Sequence, residues 1–319
     1  MANVKVVNLS YPSFNGKREF VIKRVGDGSI ITRFDKTPNP KRPTDVVCPH
    51  FLELKWATGC PYNCAWCYLK GTLRFRPDKT KPYYKDREKI EMHVRSFIEG
   101  SNGHRELLNT GELADSLMCE RNGSSFSTFI MPLFEGQKHR VLFLTKSNRV
   151  QHLLDNDYTK NAVVSFSLNA GCVARRFEKG APPVEKRIEA AARLAEAGYE
   201  VRVRIDPMVP VRGWEQKYRE LADDVFSAFK PSRITLGSLR GLQSTINNAS
   251  DKSWVAYLTE GSNWGKRVDC NTRYLMYSET IQHLRDAYGY SDVALCKETL
   301  EIWDKLGMDY RQIKCNCMP

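Results

Sequence analysis

From about residue 50 onward, short β-rich runs alternate with amphipathic runs of helical length. Such alternation predicts an α/β fold, in which parallel strands are joined by right-handed crossover helices. Six strand–helix units favour an open, partial (β/α)6 barrel of the TIM type, although a flat sheet would show the same periodicity. The six predicted strands are 52–58, 106–110, 141–145, 162–168, 200–205 and 233–239.

The pattern changes near residues 50 and 245, and we predict three regions from it. Residues 1–50 form a strand-rich N-terminal extension with Asn-Gly and Asp-Gly turn signals. Residues 51–245 form the barrel, and residues 246–319 form a helical C-terminal region that ends in the cysteine-containing run CNCMP. The clearest helical patterns cover 184–197, 214–229, 278–287 and 297–306.

Charge and cysteine content narrow the class of protein. The 49 Lys and Arg exceed the 37 Asp and Glu, and a net charge of +12 favours a polyanionic partner, nucleic acid first. No apolar run is long enough to cross a bilayer, and no signal peptide is present, so we expect a soluble, cytoplasmic protein without a membrane partner. In that reducing compartment, ten cysteines indicate metal ligation or catalysis more than disulfides.

The most informative motif is the run GCPYNCAWCY, which directly follows the first predicted strand. It carries three cysteines, Cys60, Cys64 and Cys67, in a loop at the carboxyl end of a parallel strand, where such folds place their chemistry. Three thiolates can bind three irons of a [4Fe–4S] cluster and leave the fourth iron open. The alternative is three corners of a zinc site whose fourth ligand lies elsewhere in the chain.

At these residues the sequence resembles the radical S-adenosylmethionine superfamily, whose signature is three cysteines spaced CxxxCxΦC with an aromatic Φ, here Trp66. The resemblance narrows to spore photoproduct lyase and its relatives. It is carried in order by ATGCPYNCAWCYLKGTLRFRP, KPYY, VLFLTKSNRVQHLL, SFSLNAG, AARLAEAGYEVRVRIDPMVPVRGWEQKY and RITLGSLR. The family implies a partial (β/α)6 barrel, a thymine-derived lesion in DNA as substrate, and a one-electron reductant such as flavodoxin or ferredoxin.

The resemblance also implies a binding site for S-adenosylmethionine. Its adenine would lie against the aromatic residue of the motif, its amino group would meet a Gly-Glu element, and its carboxylate or ribose would meet a strand-end lysine. That lysine could equally be an ordinary solvated residue, and the strand-end Asp206 could be only a helix cap. The residues predicted to bind the cofactor are Trp66, Gly111, Glu112, Lys146, Ser167 and Asn169.

One departure from the family concerns the hydrogen donor. The lyases return a hydrogen atom to the product from a cysteine after the second strand, where this chain has Thr110 or Gly111. Cys119, on a predicted helix, and the tyrosines Tyr83 and Tyr84 are the alternative donors or catalytic residues. Because a rearrangement needs no external donor, the sequence favours base modification by radical rearrangement, with substituents on the thymine methyl as candidate substrates.

A second metal site is predicted from the remaining cysteines. Cys296, Cys315 and Cys317, with Cys270 as fourth ligand, could hold another iron–sulfur cluster or a zinc ion. The alternative is a set of structural or free thiols near a chain end.

The basic segment 70–89 follows the cysteine loop and interleaves Lys and Arg with aromatic residues, which suits phosphate contact and base stacking. A solvated surface loop is the alternative. The competing functions are repair of a thymine photoproduct, modification of RNA or a peptide, and a zinc-stabilised nucleic-acid-binding module without catalysis.

Overall fold

The computed structural model describes residues 4–101, 105–121 and 125–319. A ten-stranded sheet runs through it, and its strands lie side by side in the order in which they occur along the chain. These strands are β1 (Val6–Pro12), β2 (Arg18–Val25), β3 (Ile31–Phe34), β4 (Phe51–Leu54), β5 (Leu107–Asn109), β6 (Arg140–Thr145), β7 (Ala162–Ser167), β8 (Glu200–Met208), β9 (Ile234–Ser238) and β10 (Val293–Leu295).

Strands β4 to β10 are all parallel, which confirms the six predicted strands and their order, although the first of them ends at Leu54 rather than at residue 58. Every residue of β7 is buried, as expected for a central parallel strand covered on both faces. The seventh parallel strand, β10, was not predicted. Its three residues lie in a region of helical pattern, and only pairing with β9 makes them a strand.

The N-terminal strands extend this same sheet in antiparallel fashion. β1 pairs with β2, β2 with β3, and β3 with β4 through the register Ile31↔Leu54 to Phe34↔Phe51. The strand-rich character expected for the extension is therefore present in its described residues, while residues 1–3 lie outside them. The boundary near residue 50 stays a prediction, since hydrogen bonding is continuous across it.

Four long helices cover the sheet: α1 (Arg87–Glu99), α2 (Val184–Glu196), α3 (Trp214–Ala228) and α4 (Cys270–Tyr288). α1 begins at Asp86, whose side chain accepts from the Lys89 amide at 2.8 Å. α4 ends at Gly289, which adopts the left-handed φ of +58° that favours glycine. The shorter helical segments are Leu69–Thr72, Phe126–Ile130, Met131–Phe134, Gln151–Leu154, Gly171–Phe177, Gln243–Asn248, Ser253–Tyr257, Leu300–Lys305 and Tyr310–Gln312.

Small strand pairs outside the main sheet shape the loops around it. The predicted helix 297–306 is wrong in its first turn, because Glu298–Thr299 pairs antiparallel with Val46–Val47 and the helix begins only at Leu300. Among the described residues, no helix is long and apolar enough to cross a membrane. The other short strands are Ala57–Thr58 with Tyr83–Tyr84, Asn63–Cys64 with Glu178–Lys179, and the three-stranded sheet of Arg240–Leu242, Gly265–Arg267 and Glu260–Ser262.

The tail is anchored inside the parallel sheet by Asn316, which is completely buried. Its side-chain amide donates to Ser165 Oγ at 2.8 Å and to the Val203 carbonyl at 2.9 Å, on β7 and β8. On β9, Thr235 Oγ1 donates to Asn316 Oδ1 at 2.8 Å and accepts from the Asn316 amide at 3.0 Å. This one residue therefore ties the run CNCMP to three neighbouring strands.

We predict that His139 makes the fold less stable in mild acid. Its Nδ1 accepts from the Glu106 amide at 3.3 Å, a role that only the neutral ring can fill, and burial lowers its pKa to about 4. In the unfolded chain this histidine binds its proton near pH 6.5. The neutral ring therefore stabilises the fold fully above pH 6.5, and this stabilisation of about 2–3 kcal/mol is lost as the pH falls towards 4. Urea unfolding at pH 7 and pH 4.5 should show a smaller decrease for His139→Gln than for wild type; equal decreases would contradict the assignment.

Candidate active site

A cavity of about 530 Å³ lies at the carboxyl ends of the parallel strands. Its wall is built from the residues that end or follow successive strands, as expected for the chemistry-bearing face of such a fold. Residues of the loop after β4 face it together with residues from every later strand of the parallel series. The strand-end contributions are Gly111 after β5, Lys146 after β6, Ser167 on β7, Arg204 and Asp206 on β8, Ser238 on β9, and Cys296 after β10.

The loop with the cysteine triplet is held by its backbone at both ends. The Gly59 amide donates to the Leu113 carbonyl at 2.8 Å, and the Ala65 amide donates to the Phe177 carbonyl at 2.7 Å. Gly59 has a φ of +101°, and a Cβ there would lie 2.5 Å from the Lys81 carbonyl oxygen, so no other residue fits. The loop is thus set by backbone contacts from distant segments.

All three predicted cluster ligands, Cys60, Cys64 and Cys67, line this cavity. Burial raises the pKa of the Cys64 thiol to about 12 and also raises that of Cys60 and Cys67, so the bare thiols are protonated and bind a metal by releasing protons. In the part of the chain that the structure describes, no three Cys, His, Asp or Glu side chains converge on a single metal ion. Three thiols of one loop facing a cavity suit a cluster with one open iron better than a closed zinc site.

Five of the six predicted cofactor residues line the same cavity. Trp66 packs against Phe177 with ring centroids 5.2 Å apart. Gly111 is required by space, because a Cβ there would lie 2.4 Å from Leu144 Cβ. Glu112 is oriented by Asn109, whose Nδ2 donates to Glu112 Oε1 at 3.0 Å. The other two are Lys146 and Ser167.

The sixth predicted cofactor residue, Asn169, does not line the cavity. Its side chain is fully buried, where Nδ2 donates to the Pro207 carbonyl at 2.7 Å and Oδ1 accepts from Tyr218 at 3.0 Å. These contacts join the end of β7 to β8 and α3. In this structure Asn169 therefore holds the wall of the site, and its contact with the cofactor stays a prediction.

Lys146 is not the solvated lysine of the alternative interpretation. Its Nζ lies 3.7 Å from Glu178 Oε1, and Glu178 Oε2 accepts from Arg187 Nη1 at 2.6 Å. Burial works against the charge of Lys146, but attraction from Glu178 and from other groups nearby outweighs it and raises the pKa, so the ammonium persists at neutral pH. Both partners were missed from sequence, although an arginine on the apolar face of α2 was a signal for Arg187.

Asp206 is not a helix cap either. Its two carboxylate oxygens accept from Arg240 Nη1 and Nη2, each at 3.0 Å, and this pairing lowers the pKa of Asp206 against the effect of burial. The neighbouring strand makes room for it with Gly237, since a Cβ at that position would lie 2.5 Å from Asp206 Oδ1. The pair forms part of the cavity wall.

The three predicted catalytic residues do not line the cavity. Cys119 lies in a turn rather than on the predicted helix, and it is half-buried. Tyr83 and Tyr84 form a short strand paired with Ala57–Thr58 and are exposed to 58% and 51%. Their catalytic roles stay predictions that the geometry does not favour, because the cofactor residues lie around the cavity.

The tail cysteines divide into two places. Cys296, Cys315 and Cys317 line the cavity, where Cys317 Sγ accepts from Asn109 Nδ2 at 3.6 Å. Cys270 begins α4 and contacts Lys305 Nζ at 3.4 Å instead, so the structure does not bring it to the other three. Cys48, which was not considered from sequence, lines the cavity with them.

The chain is similar to known proteins over most of this site. The family model described as "Spore photoproduct lyase" matches residues 50–236. The spore photoproduct lyase of Bacillus subtilis (strain 168) is 29% identical over 178 residues, or 55% of this chain and 51% of that protein. That of Geobacillus sp. (strain Y412MC61) is 29% identical over 172 residues, or 53% and 49%. The chain spans about half the length of the curated relatives it matches.

Solved structures show the same fold. A spore photoproduct lyase complexed with dinucleoside spore photoproduct superposes with a TM-score of 0.60 at 19% identity, over 82% of this chain and 78% of that one. SuiB of Streptococcus suis bound to its precursor peptide SuiA superposes with a TM-score of 0.53 at 14% identity, over 79% and 49%. The predicted fold, a partial α/β barrel with a helical C-terminal region, is confirmed. Because the family model covers more than half of its residues, including the cysteine loop, this chain belongs to the spore photoproduct lyase family.

Proposed function

We propose that this protein is a radical S-adenosylmethionine enzyme that acts on a thymine-derived base in DNA. One observation carries the proposal: three thiols of a single loop line the same cavity as Glu112 and Lys146. When bound, a [4Fe–4S] cluster and S-adenosylmethionine would supply a 5′-deoxyadenosyl radical that removes a hydrogen atom from an unactivated carbon. The protein's own part is to bind, orient and enclose these groups.

Cys60, Cys64 and Cys67 would hold the cluster in this proposal. Glu112, fixed by Asn109, would accept a hydrogen bond from the amino group of S-adenosylmethionine. Lys146, kept charged by Glu178, would bind its carboxylate or ribose, with Ser167 beside it on the next strand. The buried Trp66 would cover the adenine and exclude water from that side.

DNA as the substrate is supported by charge. The protein carries a net charge of +12, and the basic segment 70–89 directly follows the cluster loop. In this segment Phe75 is 83% exposed, and the Arg74 guanidinium lies 4.2 Å from its ring centroid, an arrangement suited to base stacking beside a phosphate contact. A base within a duplex would have to flip out to reach the cavity.

Two reactions are compatible with this site, and the family favours one of them. Membership in the spore photoproduct lyase family favours repair of a thymine lesion over the rearrangement that the sequence indicated. The observation that keeps rearrangement as the second candidate is the strand end at Thr110, where the lyases carry their donor. Thr110 is buried and its hydroxyl contacts Ser116 Oγ at 2.8 Å, so this strand end itself carries a hydroxyl rather than a thiol.

The proposed radical chemistry also requires an electron donor and reducing surroundings. A flavodoxin or ferredoxin would supply the electron, and the cytoplasm would supply the reducing surroundings that free thiols need. A second iron–sulfur cluster or zinc ion stays a prediction, now without Cys270 among its ligands. Iron and zinc counts on the reconstituted protein test it, since four irons without zinc would exclude it.

We expect the anaerobically reconstituted, reduced protein to cleave S-adenosylmethionine when DNA containing a thymine lesion or a modified thymine is added. Performing the reaction in deuterated buffer separates the two candidates. Deuterium in the product would indicate an exchangeable thiol or phenol donor and therefore repair, whereas a deuterium-free product would indicate rearrangement. RNA and peptide substrates serve as controls, and stimulation by one of these alone would overturn the DNA proposal.

A further inference from the structure

Among the described residues, two half-buried cations in the cavity wall have no carboxylate partner. Lys36 and Lys266 also line the cavity without one, but both are exposed to solvent. Arg204 lies on β8 and Lys297 directly follows β10, and both line the cavity that also contains the predicted cofactor residues. Over the described ranges 4–101, 105–121 and 125–319, no Asp or Glu oxygen lies within 4.0 Å of either charged group. Such cations need a counter-charge, because a buried charge without a partner is unfavourable.

The other cations of this wall that are not exposed to solvent are paired within the protein. Arg240 is bound by both oxygens of Asp206 at 3.0 Å, and Arg273 is bound by Glu298. Asp206 and Glu298 are thus already engaged. Arg204 and Lys297 therefore differ from the other cations of this wall, which are either paired or exposed to solvent.

Arg204 presents unused hydrogen-bonding capacity. Its Nη2 donates to Cys317 Sγ at 3.1 Å, while its Nε is buried and has no hydrogen-bond partner among the described residues. A guanidinium offers a planar fork of donors that matches a carboxylate or a phosphate. Arg204 therefore has hydrogen-bond donors left that could bind an oxyanion.

Lys297 is held in an unusual backbone conformation. Its φ of +50° lies in the left-handed region, which a non-glycine residue adopts only when the surrounding structure holds it there. Its ammonium lies 5.0 Å from the Phe34 ring centroid, a contact that does not neutralise it.

We propose that Arg204 and Lys297 form a binding site for an oxyanion of the substrate, a carboxylate or a phosphate. This inference rests on the proposed function, in which the substrate shares the cavity with S-adenosylmethionine. The carboxylate of the cofactor already has Lys146 and Ser167 as its expected partners, on β6 and β7. A substrate with only a neutral thymine in the cavity would leave both cations without a counter-charge.

The test measures binding to the reconstituted protein by calorimetry in the presence of S-adenosylmethionine. The probes are thymidine, thymidine 5′-phosphate and 5-carboxymethyl-2′-deoxyuridine, which differ in the presence and position of the anion. We expect at least one anionic probe to bind roughly tenfold or more tightly than thymidine. Preference for the phosphate would identify the nucleotide backbone as the source, and preference for the carboxymethyl base would identify an acidic substituent on thymine.

The variants Arg204→Met and Lys297→Met should each lose this preference, while Arg204→Lys should retain part of it. Thymidine binding and S-adenosylmethionine binding should not change. Arg212→Met is the matched control, since Arg212 follows the same strand but is exposed and does not line the cavity. Thermal unfolding of each variant identifies any loss of fold, in which case Arg204→Lys carries the comparison.

Three results would overturn the site. One is equal binding of neutral and anionic probes to the wild type. Another is a loss of S-adenosylmethionine affinity in Arg204→Met, which would assign the cation to the cofactor. The third is iron or zinc retained by a variant that lacks Cys60, Cys64 and Cys67, because a metal–thiolate group at the tail cysteines would then be the counter-charge. If anion binding persists but no DNA stimulates cofactor cleavage, the proposed function fails while the site stands.

Discussion

Replacing Cys64 with alanine is expected to abolish cleavage of S-adenosylmethionine and to prevent reconstitution of the cluster. Cys64 is buried at the point where Asn63–Cys64 pairs with Glu178–Lys179, so this pairing fixes the place of its thiol in the cavity wall. The loss of activity should reach about 100-fold or more, because even residues that only support metal ligands contribute about 10- to 100-fold. Iron content, cluster absorbance and 5′-deoxyadenosine formation measure it.

Cys270→Ala is the matched control for this variant. Cys270 is a partly buried thiol of the same protein, but it contacts Lys305 at the start of α4, outside the cavity. It should therefore retain wild-type iron content and cofactor cleavage. An intact cluster with unchanged cleavage in Cys64→Ala would remove the site assignment altogether.

Replacing Asn316 with leucine is expected to lower the free energy of unfolding by about 3–5 kcal/mol. Leucine has a similar size but leaves the Ser165 hydroxyl, the Val203 carbonyl and the Thr235 hydroxyl buried without their present partners. Each such group costs about 1–3 kcal/mol when its partner is removed. Urea-induced unfolding followed by circular dichroism measures the change.

Gln312→Ala provides the comparison within the same tail. Gln312 is exposed and its side chain donates a hydrogen bond to the nearby Asp309, so its replacement should change the free energy of unfolding by less than about 0.5 kcal/mol. If Asn316→Leu is no more destabilising than Gln312→Ala, the tail is not anchored through Asn316. A destabilised tail should also weaken anion binding, because Cys317 contacts Arg204.

The parallel strands were predictable because each carries a strong local pattern. Strands such as β6 and β7 are continuous apolar runs between turn signals, and this pattern survives in any tertiary context. The short strand β10 and the strand Glu298–Thr299 lack such a pattern. Their conformation depends on pairing with β9 and with Val46–Val47, which are distant in the chain.

The site was predictable where its residues belong to a motif with fixed spacing. It was not predictable where residues that are distant in the chain come together only in the folded structure. The cysteine triplet and the Gly111–Glu112 element both reach the cavity as expected. The roles predicted for Cys270, Tyr83 and Tyr84 had no such spacing behind them, and these side chains lie elsewhere. The residue type of a cysteine or a tyrosine gives no local signal of the direction in which its side chain points in the fold.

The amino-acid sequence by itself determined the α/β class, the order of six strands, the place of the cysteine loop and the family, because these depend on local periodicity and short-range spacing. Only the tertiary structure decided which charges are paired. It brings Glu178 close to Lys146 and pairs Asp206 with Arg240. In the part of the chain that the structure describes, it leaves Arg204 and Lys297 without a carboxylate within 4.0 Å. Pairing of charges is a matter of distances between strands that are far apart in the chain, and no pattern within one strand encodes it.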